Sequence, residues 1–129
     1  MQAAFVVCNK RRYVCVPGGM SEPKVEVVGV PTRNAYEIRL DGTTVGEELY
    51  FDDGAHRVFY ATEVDPAFGG RGLGSILIHD ALADTVASGR RIVPVCPFVV
   101  RWVTRHDDFA ASVDEPTPAL LQRIPALPR

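Results

Sequence analysis

Between Tyr36 and Val64 the chain carries three strand-like runs dense in β-branched and aromatic residues: Tyr36 to Leu40, Thr43 to Phe51 and Arg57 to Val64. Asp41-Gly42 joins the first two, and Asp52-Asp53-Gly54 joins the last two. A type I′ hairpin turn needs positive φ at both central residues, which Gly adopts without strain and Asp tolerates better than most. The pattern predicts an antiparallel β-meander.

Asp65-Pro66 ends the third run, and a glycine-rich stretch follows. From about Gly72 to Ser88 the period changes, with Leu77, Ile78, Ala81, Leu82 and Val86 falling on one helical face and Gly89 in place as a C-cap. Ile92 to Val95 reads as a short buried strand. A strand after a helix of this length can return parallel to the earlier strand through a right-handed crossover, which makes a βαβ unit. Cys96-Pro97 opens a second helix, because Pro is favoured at the first helical position. Phe98, Val99, Trp102 and Val103 form its apolar stripe, with Phe98 and Trp102 expected in the core, and Arg105 and His106 suit its C-terminus. The fold class is therefore α/β of the α+β kind, an antiparallel β-meander followed by a βαβ unit and a C-terminal helix.

Three segments follow from this reading. Residues 1–23 form an N-terminal extension, expected to be disordered and set off by Pro17-Gly18-Gly19; Met20-Ser21-Glu22-Pro23 reads as an alternative start. Residues 24–109 are the folded domain. Residues 110–129 are a tail crowded with Pro116, Pro118, Pro125 and Pro128, expected to be mostly unstructured, in which Leu120, Leu121 and Ile124 make at most one short amphipathic turn.

Composition narrows the function classes. At 129 residues, 47% hydrophobic and 23% charged, the chain is in the range of a single globular domain. A net charge of -2 offers no general basic surface for nucleic acid. No apolar run approaches the ~20 residues of a membrane helix, and Lys10, Arg11 and Arg12 interrupt the apolar stretch near Phe5 too soon for a secretion signal. Cys8, Cys15 and Cys96 are an odd set that does not read as a disulfide framework, and a cytoplasmic protein is expected. No second cysteine or histidine stands at ligand spacing near His56, His79 or His106, so no metal site is expected.

Gly69-Gly70-Arg71-Gly72-Leu73-Gly74-Ser75 lies between a strand and a helix, where free backbone N–H groups and the helix dipole suit an anion such as a diphosphate. The Walker pattern lacks its Lys-Ser or Lys-Thr pair, and the spacing of Gly70, Gly72 and Gly74 does not meet the dinucleotide fingerprint. The stretch resembles instead the CoA-binding signature of GNAT acetyltransferases, [Gln/Arg]-x-x-Gly-x-[Gly/Ala], with Gly69 standing where the signature opens with Gln or Arg. Thr62-Glu63-Val64, Arg71 to Ser75, Val93-Pro94-Val95-Cys96-Pro97-Phe98-Val99 and Arg105-His106 are similar to the short, single-domain branch of that superfamily, over about Tyr36 to Phe109. That branch often reads His-Thr-Glu-Val where this chain has Ala61 before Thr62.

The resemblance implies an N-acetyltransferase-like protein that takes acetyl-CoA as co-substrate and passes the acetyl group to an amine acceptor. It implies cofactor contacts from Val64, Gly70, Arg71, Gly72, Leu73, Gly74 and Ser75, with the thioester directed toward Cys96. Cys96, at a helix start where the dipole favours a thiolate, is a candidate acyl acceptor or active-site thiol, or else a small buried hydrophobe. Glu63 is the candidate base for the amine, or else a solvated strand residue; His106 is a second candidate base, or a helix-end residue. Arg57, Arg90 and Arg91 are candidates for the cofactor's 3′-phosphate, or else surface arginines. A non-catalytic acyl-CoA-binding module is the alternative function, and a structural domain whose glycine turn binds nothing is a third.

Overall fold

The computed structural model describes residues 5–7, 24–68 and 72–126. Among them one sheet carries its strands in chain order: β1 (Phe5–Val7), β2 (Val25–Val30), β3 (Ala35–Leu40), β4 (Thr43–Asp53), β5 (His56–Val64) and β6 (Arg91–Pro94). Neighbours are antiparallel up to β5, and β5 with β6 is parallel. Helix α1 (Leu73–Ala87) crosses between that parallel pair, and α2 (Pro97–Arg105) follows β6 directly. The meander, the βαβ unit and the helix after it are the expected α+β plan.

Local chemistry accounts for the junctions. Asp41 and Gly42 both take positive φ, 50° and 86°, which matches the hairpin turn to the twist of its strands. Gly89, at φ 84°, lies just past the Ser88 cap of α1, where only a left-handed residue lets the chain turn back to β6. Cys96 is the N-cap of α2 and Pro97 its first residue. Two strands exceed the expected meander: β2 pairs with β3, with Val27 opposite Ile38, and β1 pairs with β2 from inside the segment expected as an extension. Cys8, Cys15 and the Pro17-Gly18-Gly19 break lie outside the described residues. No helix among the described residues is long and apolar enough to cross a membrane.

Both faces of the sheet are apolar, and each has its own cover. On one, Tyr36, Ile38, Tyr50 and Phe59 pack against Leu77, Leu82, Val99 and Trp102 of the two helices. The buried Arg57 at the start of β5 is satisfied there by Asp52, through Nε at 2.7 Å and Nη2 at 3.0 Å, and by Tyr36 Oη at 2.6 Å. On the other face, Leu49, Phe51, Val58, Tyr60 and Val93 are covered by Leu120 of α3 (Pro118–Leu121), with Ile124 beside it.

The proline-rich tail, expected to be mostly unstructured, is therefore part of the packed domain as far as it is described. Val113 bridges to Ile92, Arg91 donates to Asp114 at 2.6 and 2.8 Å, and Thr117 caps α3 by accepting from the Leu120 N–H. Without it the second face would lie in water, and its prolines restrict the freedom that docking removes.

Leu120→Ala is expected to lower the unfolding free energy by about 2–4 kcal/mol in urea titration, with Leu120→Met much closer to wild type. An unchanged midpoint for the alanine variant would mean that the tail does not cover the sheet in solution. Gly46 tests the strand packing, since a Cβ there would stand 2.9 Å from Glu63 O and 3.0 Å from Ile38 Cγ2. Gly46→Ala is expected to cost about 1–3 kcal/mol in the same assay, and a neutral result would contradict that close approach.

Candidate functional site

Strand β5 outruns its parallel partner. The pairing with β6 covers only His56 to Phe59, after which the N–H groups of Val95 and Cys96 both donate to Phe59 O at 3.0 Å and the chain turns into α2. Tyr60 to Val64 continue with no β6 residue beside them. On the other side Leu49 opposes Ala61 while Tyr50 opposes Phe59, so Tyr60 is an extra residue in the β4–β5 register. Such a bulge bends a strand and sharpens its twist. Together these features open a fork at the C-terminal end of β5.

A cleft of about 440 Å³ occupies the fork. Thr62 and Val64 line it from β5, Leu73, Gly74 and Ser75 from the first turn of α1, and Phe98, Arg101, Trp102 and Arg105 from α2. Gly72 precedes α1 with φ 75°, no side chain among the described residues caps that helix, and its first turn holds no acidic residue. The residues lining the cleft include two arginines and no Asp or Glu. Amides at a helix start, with arginines opposite, are the chemistry that suits an anion. Trp102 Nε1 donates to Ser75 Oγ at 3.0 Å, which ties α2 to the mouth of α1. His106 caps α2, stacks on Trp102 with ring centroids 4.2 Å apart, and donates from Nδ1 to Trp102 O at 3.1 Å.

The sequence-derived candidates divide accordingly. Val64, Gly72, Leu73, Gly74 and Ser75 come together in the cleft, as does His106. Gly70 and Arg71, with Gly69, lie outside the described residues. Cys96 is buried, with Sγ 3.2 Å from Thr62 Oγ1. Glu63 is exposed and does not line this cleft; successive strand residues face opposite sides of a sheet, and it borders a second recess of about 280 Å³ with Glu47 and Asp65. Phe98, expected in the core with Trp102, is instead 55% exposed at the cleft wall, because α2 buries only its Val99–Trp102 side. Arg57, Arg90 and Arg91 do not reach the cleft: Arg57 and Arg90 pair with Asp52, and Arg91 pairs with Asp114. Among the described residues the arginines in the cleft are Arg101, which drew no attention in the sequence, and Arg105, read there as a helix-end charge and as part of the Arg105-His106 pair in the resemblance.

Behind Thr62 lies the residue that sequence reasoning missed. Glu48, on β4, stands between Tyr36 and Thr62 in the strand register and is fully buried. Its Oε1 is hydrogen bonded to Thr62 Oγ1, and its Oε2 has no partner among the described residues. Burial pushes the carboxyl well above the usual carboxylate range, and the Thr62 hydrogen bond only partly opposes this. Alternation along β4 was the available signal: with Leu49 and Phe51 on one face, Glu48 must share the helix-covered face with Tyr50.

A carboxyl held neutral in the folded state binds a proton that the unfolded chain gives up. Its contribution to stability is therefore complete below the ordinary Glu range and is lost as pH rises toward its raised folded value. Wild type is expected to lose stability relative to Glu48→Gln between weakly acidic and alkaline pH in urea titrations. Parallel pH dependences for the two proteins would show that Glu48 is not held neutral.

Residues 35–113 match a family model described as GCN5-related N-acetyl-transferase. A search among curated proteins gives no match. The matched span runs from β3 past α2 and contains the fork, the start of α1 and both arginines of the cleft. This chain belongs to the GCN5-related N-acetyltransferase family.

Proposed function

We propose that the protein binds acetyl-CoA in the cleft at the fork and transfers the acetyl group to an amine acceptor. The observation that carries this reading is the open edge of β5 leading to the uncapped start of α1. An extended arm with amides along it can pair with a free strand edge, and a diphosphate at its far end meets helix N–H groups. Val64, Gly72, Leu73, Gly74 and Ser75 supply those contacts, Gly70 and Arg71 complete the set in sequence, and Arg101 and Arg105 add the charge that a polyphosphate needs.

In this reading the thioester lies at the inner end of the fork beside Thr62, with Cys96 Sγ just behind that hydroxyl as active-site thiol or acyl acceptor. Glu63, on the opposite face of β5, acts as base only for an amine that approaches from the recess it shares with Glu47 and Asp65. That position favours a second reading, a non-catalytic acyl-CoA-binding module.

CoA at about 100 times its dissociation constant is expected to stabilise the protein by about 2.7 kcal/mol, seen as a raised melting temperature. Replacing Arg101 and Arg105 together by Ala should shrink that shift, and no shift in wild type would overturn the reading. Release of the CoA thiol from acetyl-CoA in the presence of primary amines separates the enzyme from the binding module. Cys96→Ser is expected to abolish transfer while leaving CoA affinity intact, and unchanged turnover would remove Cys96 from the chemistry.

A further inference from the structure

We propose that Glu48 is the proton reserve of the cleft, supplying through Thr62 the proton that the departing thiolate takes up when the acetyl group leaves its sulfur carrier. The proposal rests on the acetyl-transfer reading above. It starts, however, from a feature that reading does not use.

Burying a carboxyl costs free energy unless its oxygens are hydrogen bonded, and an apolar residue would fill the same place without that cost. Glu48 has no structural return for it. One oxygen is unpartnered among the described residues, and the other touches only the Thr62 hydroxyl. Of the titratable groups around it, Tyr36 stands across β3 but is engaged by Asp84 at 2.5 Å and by Arg57 at 2.6 Å. Cys96, from the start of α2, meets the same Thr62 hydroxyl from another side. Among the described residues, the influences on the carboxyl are its burial and the Thr62 hydrogen bond. Thr62 also lines the cleft. Glu48 is thus shut off from solvent and linked to the cleft by one hydroxyl.

As the nucleophile bonds to the thioester carbon, the C–S bond breaks and its electron pair passes to sulfur. Thr62 Oγ1 donates to Oε1 of a carboxylate; with Glu48 neutral and its proton on Oε1 the bond reverses, the carboxyl O–H donates to Thr62 Oγ1, and the hydroxyl proton is left free for the cleft. Thr62 gives that proton to sulfur and takes one from Glu48, so the carrier leaves as a thiol and Glu48 becomes a carboxylate. The nucleophile's own proton goes to solvent. Glu48 regains a proton by the reverse path once product has left and water enters. General-acid assistance of this kind contributes about 100-fold or more to a rate.

The test uses the full chain with acetyl-CoA, and hydroxylamine as the acceptor probe. Glu48→Gln and Thr62→Val are each expected to slow release of the CoA thiol about 100-fold, and the double variant no further, because the two act as one chain. CoA affinity should stay within about threefold of wild type in both, and Thr62→Ser should restore most of what Thr62→Val loses. The wild-type rate should fall as pH rises through the Glu48 titration, and that fall should be missing in Glu48→Gln. Independently of turnover, the infrared spectrum at neutral pH should contain the C=O stretch of a protonated carboxylic acid that Glu48→Gln lacks. Absence of that band, near-wild-type release by Glu48→Gln, or losses that multiply in the double variant would each overturn the proposal. Failure of wild type to bind CoA strikes the acetyl-transfer reading instead, and the infrared band then decides alone whether Glu48 holds a proton.

Discussion

The structure depends on a mismatch in length between two parallel strands. β5 pairs with β6 only as far as Phe59 and then runs on to Val64, while β6 gives way at once to Cys96 and α2. A parallel sheet that continued to pair would have no cleft there. Because it stops, the far half of β5 keeps one edge open, and α1 and α2 must converge over the gap to cover the apolar side chains beneath. Their convergence brings the amide end of α1 to the same place as the cationic side of α2. Fold and site are in this sense one arrangement.

Two devices hold the fork in shape. Gly46 lets β4 lie close against Glu63 and Val64 at the end of β5, and the extra residue at Tyr60 turns that end out of line with β6. At the opposite end of β5 the buried Arg57 and its partners, together with Arg91, Asp114 and His56, fasten the strands and the tail. The pKa of Asp114 is held down to about 2, first by its hydrogen bond from Arg91, so this carboxylate stays charged through the neutral range. The end of the sheet away from the cleft is paired throughout, and the end that opens is the one with the cleft.

How much of this was legible in the sequence follows from the range of the interactions. The Asp41-Gly42 hairpin, the start of α2 at Cys96-Pro97 and the end of α1 near Gly89 are set by local backbone preferences, and their residues announce them. β2 was less visible because Val25 to Val30 gain their strand state from pairing with β3. The tail misled for a related reason: its prolines read locally as irregular, yet Leu120 is placed by an apolar face built from residues about 25 to 85 positions earlier. Gly72 to Ser75, which line the cleft, and Cys96, buried beside Thr62, were singled out by pattern. Arg101, the exposed side of Phe98 and the buried Glu48 were not, since each depends on which side of a helix or strand faces the fork.

The fork suits a molecule with an amide arm and a diphosphate. The most direct measurement is a backbone amide NMR titration of the labelled protein with CoA. Shifts concentrated at Thr62, Val64 and Gly72 to Ser75, with the strands near Asp114 undisturbed, are the expected result. Saturable binding that instead perturbs the recess of Glu47, Glu63 and Asp65, or the tail around Leu120, and leaves the start of α1 unmoved would contradict it.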